Sequence, residues 1–383
     1  MRIAVVGGGL GGTTAAIMLQ RAGFAVTLYE QAPSIARIGA GIFLSPNVTV
    51  VMRGIGLEGP MVQTGLLPDR FVQRDWDTGA VTFALCYDLF PERYGAPHVI
   101  MHRGDLQGVL NSGLAPGTLA LGKRLVDLDD GGTTPRLIFA DGSRADADIV
   151  IGADGINSKV RAILLGPERP TYTGDVAYRS IYPALRLGGL RVADATKWWG
   201  SDRYFMDYYV TPARDEMYLV AVAPLPWKSE DFSPQPTDLR QFQATFAGFH
   251  PEVQRLIEAC PQAVTWPILF RDPYPLWSRG RIVLLGDACH PMKPHMGQGA
   301  AMAMEDAVVL ARCLDHRRDN PAAAFRLYEA LRFERTTCVK LQSDKNEWMR
   351  YGSDCDWVFG YDAFAVPLRA PAGNAGAPVV ENV

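Results

Sequence analysis

A strand, a glycine-rich turn and a helix open this chain, and no other stretch leaves its backbone fewer alternatives. Ile3–Val6 is an unbroken apolar run, the pattern of a strand buried on both faces. GGGLGG at 7–12 places Gly7, Gly9 and Gly12 in a GxGxxG pattern with Leu10 and Gly11 between them, and the apolar helical run Thr13–Ala22 follows. In such a turn the first glycine makes the tight bend. The second lets a pyrophosphate approach the backbone, and the third lets helix and strand pack closely. A second strand, Val26–Tyr29, ends in Glu30, where an acidic side chain accepts hydrogen bonds from a ribose. A GxGxxG alone is common. With strand, helix, second strand and terminal acid in register, the unit reads as a site for an adenosine with a free 2′-hydroxyl, in FAD or NAD.

Two further strand ends carry the same mark. RIVLLGDACHPMKPHMGQGAAMAMED at 281–306 begins with the apolar strand Ile282–Leu285 and stops at Gly286-Asp287. Pro294 and Gly297-Gln298-Gly299 follow, then a small-residue helix that reaches Glu305-Asp306. ADIVIGADGINSKVR at 147–161 ends a strand in Gly152-Ala153-Asp154-Gly155, with Ser158 and Arg161 beyond it. Open α/β sheets bind ligands outside the carboxyl ends of their strands, and helix N-termini offer free N–H groups to negative charge. Three such ends, far apart in sequence, suit one long extended ligand.

Between these motifs the pattern changes. Residues 71–86 and 174–224 are rich in Tyr, Val, Trp and Leu, with Tyr204, Met206 and Tyr208 on one face of an alternating stretch. Residues 118–151 read as a β-meander and 237–260 as helical. The expected division is a discontinuous cofactor-binding domain with C-terminal helices (1–70, 97–173 and 276–350), a substrate-binding β-sheet domain (71–96 and 174–275), and a C-terminal segment with a loose tail (351–383). The net charge of −3 and the lack of a Lys/Arg run argue against nucleic acid. No apolar stretch is long enough for a bilayer. The six cysteines include no CxxC pair, so reduced thiols in the cytoplasm are expected. The chain enters a strand at once, and no signal peptide is expected. A monomer or homodimer is expected.

GGGLGG with Glu30, the Asp154-Gly155 motif and the Gly286-Asp287 motif together resemble the single-component flavoprotein aromatic hydroxylases of the p-hydroxybenzoate and salicylate hydroxylase type. The resemblance implies a Rossmann-like α/β FAD-binding domain with an inserted, mostly antiparallel β-sheet domain. It implies non-covalent FAD, NADH or NADPH as co-substrate, O₂, and attack of a flavin hydroperoxide on an electron-rich ring. By it, Gly7, Gly9, Leu10, Gly11, Gly12 and Glu30 hold ADP, and Arg103 in HRGDL reaches the cofactor near the pyrophosphate. Asp154 touches FAD and helps NAD(P)H. Gly286 and Asp287 bind the ribityl chain, and Pro294, Gly297, Gln298 and Gly299 lie beside the isoalloxazine. A narrower likeness, carried by KWWGSDR, PLWSRGR, GDACHPMKPHMGQG and WVFGYD, is to 6-hydroxynicotinate 3-monooxygenases. That group hydroxylates a pyridine ring with loss of its carboxylate.

The substrate implied is a small aromatic or N-heteroaromatic acid, a pyridine carboxylate first and a salicylate-like acid second. Tyr208 and His295 match positions linked to substrate handling in the narrower group. Phe43 and Tyr204 stand where that group carries His, which predicts a less basic, more aromatic pocket. His295, in the loop before Gly297, is the candidate base, since an imidazole exchanges protons near neutrality. Asn47 and Phe43, in AGIFLSPN, are expected on the pocket wall. His98, His102 and His290 read as structural. The same fold also serves binding proteins that chaperone lipidated partners. Such a protein needs no intact flavin site, whereas all three glycines and both aspartates are present here.

Overall fold

Strands without polar residues can only sit inside a sheet covered on both sides, and the first sheet is built that way. A computed structural model describes residues 1–369 apart from Ile38 and Glu230. Its six-stranded sheet runs Ser278–Arg279, Ile282–Leu284, Ile149–Gly152, Arg2–Val6, Ala25–Tyr29, Leu119–Ala120. All neighbours are parallel except the Ser278–Arg279 edge. The three strand ends singled out above are therefore adjacent, at Val6, Gly152 and Leu284. Ile149–Gly152 leaves the expected meander: only Leu125–Asp129, Arg136–Phe139 and Arg144–Asp146 pair antiparallel as a sheet of their own.

The second sheet has eight strands, in the order Gln235–Pro236, Val264–Phe270, Thr171–Pro183, Glu216–Pro224, Tyr204–Tyr209, Ala195–Trp199, Arg70–Asp75, Val81–Cys86. Every pair is antiparallel except Ala195–Trp199 with Arg70–Asp75. The α/β fold with an inserted, mostly antiparallel sheet is thus the one the motifs implied. The helical stretch 237–260 is two helices, Leu239–Thr245 and Pro251–Ala259. Gly248, at a φ of +89°, lies in the break between them, and Pro251 opens the second. In the C-terminal segment Cys355, Val358, Phe359 and Ala363 are buried. Most of the expected loose tail, from residue 370, lies outside the described residues.

Helix Gly299–His316 packs between helix Leu10–Arg21 and helix Pro321–Lys345. It carries two acids, Glu305 and Asp306, both fully buried. Arg332, also fully buried, donates from Nε to Asp306 Oδ1 at 2.6 Å and from Nη1 to Glu305 Oε2 at 2.8 Å. Arg335 clamps Glu305 with bonds of 2.7 and 2.9 Å. Burial works against the Asp306 carboxylate, but His290 and Arg332 overrule it and hold its pKa to about 2. Removing one partner of such a cluster leaves a buried charge uncompensated. Arg332→Met is accordingly expected to cost about 3–5 kcal/mol of unfolding free energy, read from urea denaturation; a loss within experimental error would mean that water or Arg335 replaces it.

Candidate active site

The glycine turn forms as its spacing requires. Gly7 has a φ of +107°, and a Cβ on Gly12 would lie 2.0 Å from the Gly7 carbonyl oxygen, so only a bare α-carbon lets helix and strand meet. Helix Leu10–Arg21 starts at Gly9 with no side-chain cap, which leaves its first N–H groups free. A Cβ on Gly9 would have a single neighbour, Arg103 Nη2 at 3.8 Å. Glu30 stands beside the turn but is not among the cleft-lining residues: its Oε2 accepts from Gly8 N at 2.7 Å and its Oε1 from Ala32 N at 2.8 Å. Arg103 opens helix Arg103–Ser112, whose cap is His102, with Nδ1 accepting from Gly104 N at 3.0 Å. His102 is thus structural.

Gly9 to Gly12, Arg103 and Asp287 line one continuous cleft. Asp287 opens onto that cleft and is nonetheless ringed by protein. Burial raises its pKa, against the pull of His290 and Arg103. Pro294–Met296 forms a 3-10 turn, and Gly297 follows at a φ of +67°. Gln298 then caps helix Gly299–His316 without a side-chain bond, its amide donating instead to Ser45 Oγ at 3.0 Å. A Cβ on Gly299 would have nothing closer than Met292 Cγ at 3.9 Å. An anionic, extended dinucleotide fits this set: free helix N–H groups and Arg103 at one end, Asp287 in the middle, and an open backbone cradle at the other.

Besides Glu30, two residues are placed differently from expectation. Asp154 is not among the cleft-lining residues. Its carboxylate accepts from Ser158 Oγ and from the N–H groups of Lys159 and Val160, capping helix Lys159–Leu165; the cleft wall there is Ala153 and Gly155. Asn47 is fully buried away from the cleft. It donates to Glu305 Oε1 at 2.7 Å and to Gln298 Oε1 at 3.1 Å, because it sits in the first turn of helix Pro46–Gly54, which faces the buried acids rather than the pocket.

The cleft ends in a chamber floored by the eight-stranded sheet. Register aligns its side chains in rows across the strands. Tyr218 pairs with Tyr208; Arg179, Val220, Met206 and Lys197 form the next row; Val222, Tyr204 and Trp199 the one after. Phe43 closes one side, 4.7 Å from the Tyr208 ring and edge-on to His98 at 5.3 Å. Tyr208 reaches this position because Gly41 has no side chain: a Cβ there would meet the tyrosine ring at 2.3 Å. His295 roofs the chamber, its Nδ1 3.2 Å from the Tyr204 hydroxyl. Trp348, Met349 and Phe359 complete the wall from the C-terminal segment.

The electrostatics correct two expectations. Burial, then Lys197 and Lys293, depress His295 to a pKa of about 3, so in the unliganded protein it is neutral and a poor base. The chamber is aromatic, as Phe43 and Tyr204 implied, but Arg179, Lys197 and Lys293 also line it, and it is basic. Sequence reading missed Arg179 and Lys197 because a lone Lys or Arg in a strand reveals its face only once the register is known. It also missed the position of His98, which lines the chamber, lacks a partner on either ring nitrogen and is lowered to about 3 by burial. His290 is structural as expected. Burial opposes its charge, but Cys289 and the Asp306 carboxylate, 2.5 Å from Nε2, hold its proton well above the usual imidazole range.

Comparison with known proteins agrees with this geometry. The FAD binding domain family matches residues 1–230 and 270–335, and the chain belongs to it. A 6-hydroxynicotinate 3-monooxygenase of Bordetella bronchiseptica is 50% identical over 370 residues, 96% of this chain and 97% of that protein. One of Pseudomonas fluorescens is 47% identical over 381 residues, 98% and 99% of the two chains. Among solved structures, HpxO of Klebsiella pneumoniae, complexed with FAD and uric acid, superposes with a TM-score of 0.80 at 29% identity, covering 93% of this chain and 90% of that one. The resemblance to flavin-dependent aromatic hydroxylases read from the three motifs therefore holds.

The imidazoles give a direct check. His98 and His295 bind a proton in the unfolded chain near pH 6.5 that the folded protein refuses until about pH 3, so both make stability fall as pH drops through that window. By NMR, neither ring is expected to titrate between about pH 8 and about pH 5. A midpoint near neutrality at either would contradict the burial described.

Proposed function

We propose that this member of the FAD family hydroxylates a small hydroxylated aromatic acid, 6-hydroxynicotinate in the first place, using NADH or NADPH and O₂. One oxygen atom enters the ring at the carbon that bears the carboxylate, CO₂ leaves from that carbon, and the other oxygen leaves as water. The observation that carries this reading is the chamber: a flat aromatic and thioether floor, open to the flavin-type cleft and bordered by cations with no acid on the floor rows. Such a site favours a planar anion. The near-complete alignment with 6-hydroxynicotinate 3-monooxygenases supports the same substrate class.

Bound FAD supplies reductive activation of O₂ beside the ring. The Leu10 end of its helix and Arg103 would meet the pyrophosphate, Glu30 the ribose, Asp287 the ribityl chain, and the Gly297–Gly299 backbone the ring system. The remaining residues prepare the substrate. Phe43, Met206 and Val220 fix the plane of the aromatic ring, and near-attack placement of this kind is worth several kcal/mol. Trp348, Met349 and Phe359 keep water out. His295, neutral while the chamber is empty, gains basicity once an anion sits beside it. With Nδ1 engaged by Tyr204, its other nitrogen is the one free to take a hydroxyl proton from the ring, making the ring a stronger nucleophile.

The test is NADH oxidation by the FAD-loaded protein against 6-hydroxynicotinate and salicylate, with the hydroxylated product and CO₂ assayed. Coupled product from the pyridine acid is expected. His295→Ala should retain its flavin absorbance and lose about 10²-fold or more in hydroxylation rate. Cofactor oxidation that yields only hydrogen peroxide with every acid would overturn the substrate; an unchanged rate in the variant would remove His295 from the chemistry.

A further inference from the structure

The chamber floor holds a lysine that nothing among the described residues neutralises. Lys197 is 4% exposed and stands in the middle of strand Ala195–Trp199. Its Nζ lies 3.7 Å from the centre of the Trp199 ring and 4.0 Å from that of Tyr204, and the residue lines the chamber. The groups that face it are Trp199 and Tyr204 on its own sheet, His295 on the loop above, which Lys293 also acts on, and Arg350 from the C-terminal segment. None of them is acidic. Burial and Arg350 together push its amine well below the usual lysine range.

The other deeply buried cations are treated differently. Arg332 has Glu305 and Asp306, Lys340 has Asp344, and Arg161 and Arg271 share Glu168. An isolated buried ammonium costs several kcal/mol, so Lys197 is left waiting for a negative charge from outside. Arg179, at the far end of the same row, also lines the chamber with its buried Nε unpartnered. Its guanidinium leans away, onto the ring of Trp266 at 5.3 Å, on the strand next to its own and opposite to the Lys197 side.

We propose that Lys197 is the counter-ion of the substrate's carboxylate, which would lie against Nζ between Trp199 and Tyr204 while the ring rests on Met206 and Val220. The inference rests on the aromatic-acid reading above and names the residue that selects the acid. It has a consequence that simple packing lacks. The amine, whose charged form burial and Arg350 disfavour in the empty chamber, holds a proton more firmly as the carboxylate arrives, because an anion at contact distance favours the charged form. No covalent bond changes, and the proton is the only species exchanged.

The test uses FAD-loaded protein titrated with 6-hydroxynicotinate and with 2-hydroxypyridine, the same ring without the carboxylate. Binding is followed by the flavin absorbance change and by calorimetry in two buffers of different ionisation enthalpy. The native protein is expected to bind the acid with a net proton uptake that it does not show with 2-hydroxypyridine. Lys197→Met should keep its flavin and its affinity for 2-hydroxypyridine, bind the acid about 30-fold or more weakly, and lose the proton uptake. Lys197→Arg, charged at every accessible pH, should restore affinity without restoring the uptake. Native affinity for the acid in Lys197→Met, or equal losses for both ligands, would overturn the proposal. A native protein that holds FAD yet binds neither ligand would sink the aromatic-acid reading, and this inference with it.

Discussion

The buried pair Glu305–Asp306 is the point to which the cofactor half of this molecule is tied. Arg332 and Arg335 reach it from the next helix, Asn47 from the segment before the chamber, and His290 and the Gly286 N–H from the loop that carries Asp287. Three separate segments thus converge on two carboxylates. An apolar cluster of equal volume would be about as stable, since burying ions offsets much of what their attraction returns. What ions add is direction. Each carboxylate oxygen accepts from a particular donor, which fixes the azimuth of helix Gly299–His316 and with it the backbone at Gly297–Gly299.

The chamber obeys a different rule. Its floor is set by sheet register, so residues from strands that begin at 171, 195, 204 and 216 line up as rows. A slip of one residue would turn every one of these side chains to the opposite face. Gly41 ties this sheet to the cofactor domain, because Tyr208 occupies the space its side chain would have taken. Burial then makes the trapped titratable groups behave unlike free ones: His98 and His295 lose their protons, while His290 keeps one because Asp306 is beside it.

What could be read from the sequence was local. Gly7, Gly9, Gly12 and Glu30 declare themselves because strand, turn and helix are contiguous, and each glycine answers to a neighbour a few residues away. The three strand ends at Val6, Gly152 and Leu284 were legible as a set because all carry glycine at the point where an apolar run stops. Asp154 and Asn47 were misplaced for one reason: both stand beside a helix start, where a carboxylate or amide is as readily spent on backbone or on a buried acid as on a ligand. Lys197 and Arg179 were invisible because their face depends on pairing between strands far apart in the chain. The depressed pKa of His295 depends on Lys197 and on burial, neither of which sequence spacing reports.

The wall contributed by Trp348, Met349 and Phe359 bears on how the protein comes into being. Synthesis proceeds from the N-terminus, and domains condense as their segments emerge. The nucleotide cleft has all its parts once helix Gly299–His316 has left the ribosome, and the ionic knot closes only when Arg332 and Arg335 follow. The chamber lacks a side until the last of these three residues is made. A nascent or clipped chain could therefore grip the cofactor before it can shelter a substrate, and the segment from Trp348 to Phe359 decides whether the chamber is a closed room or opens to water.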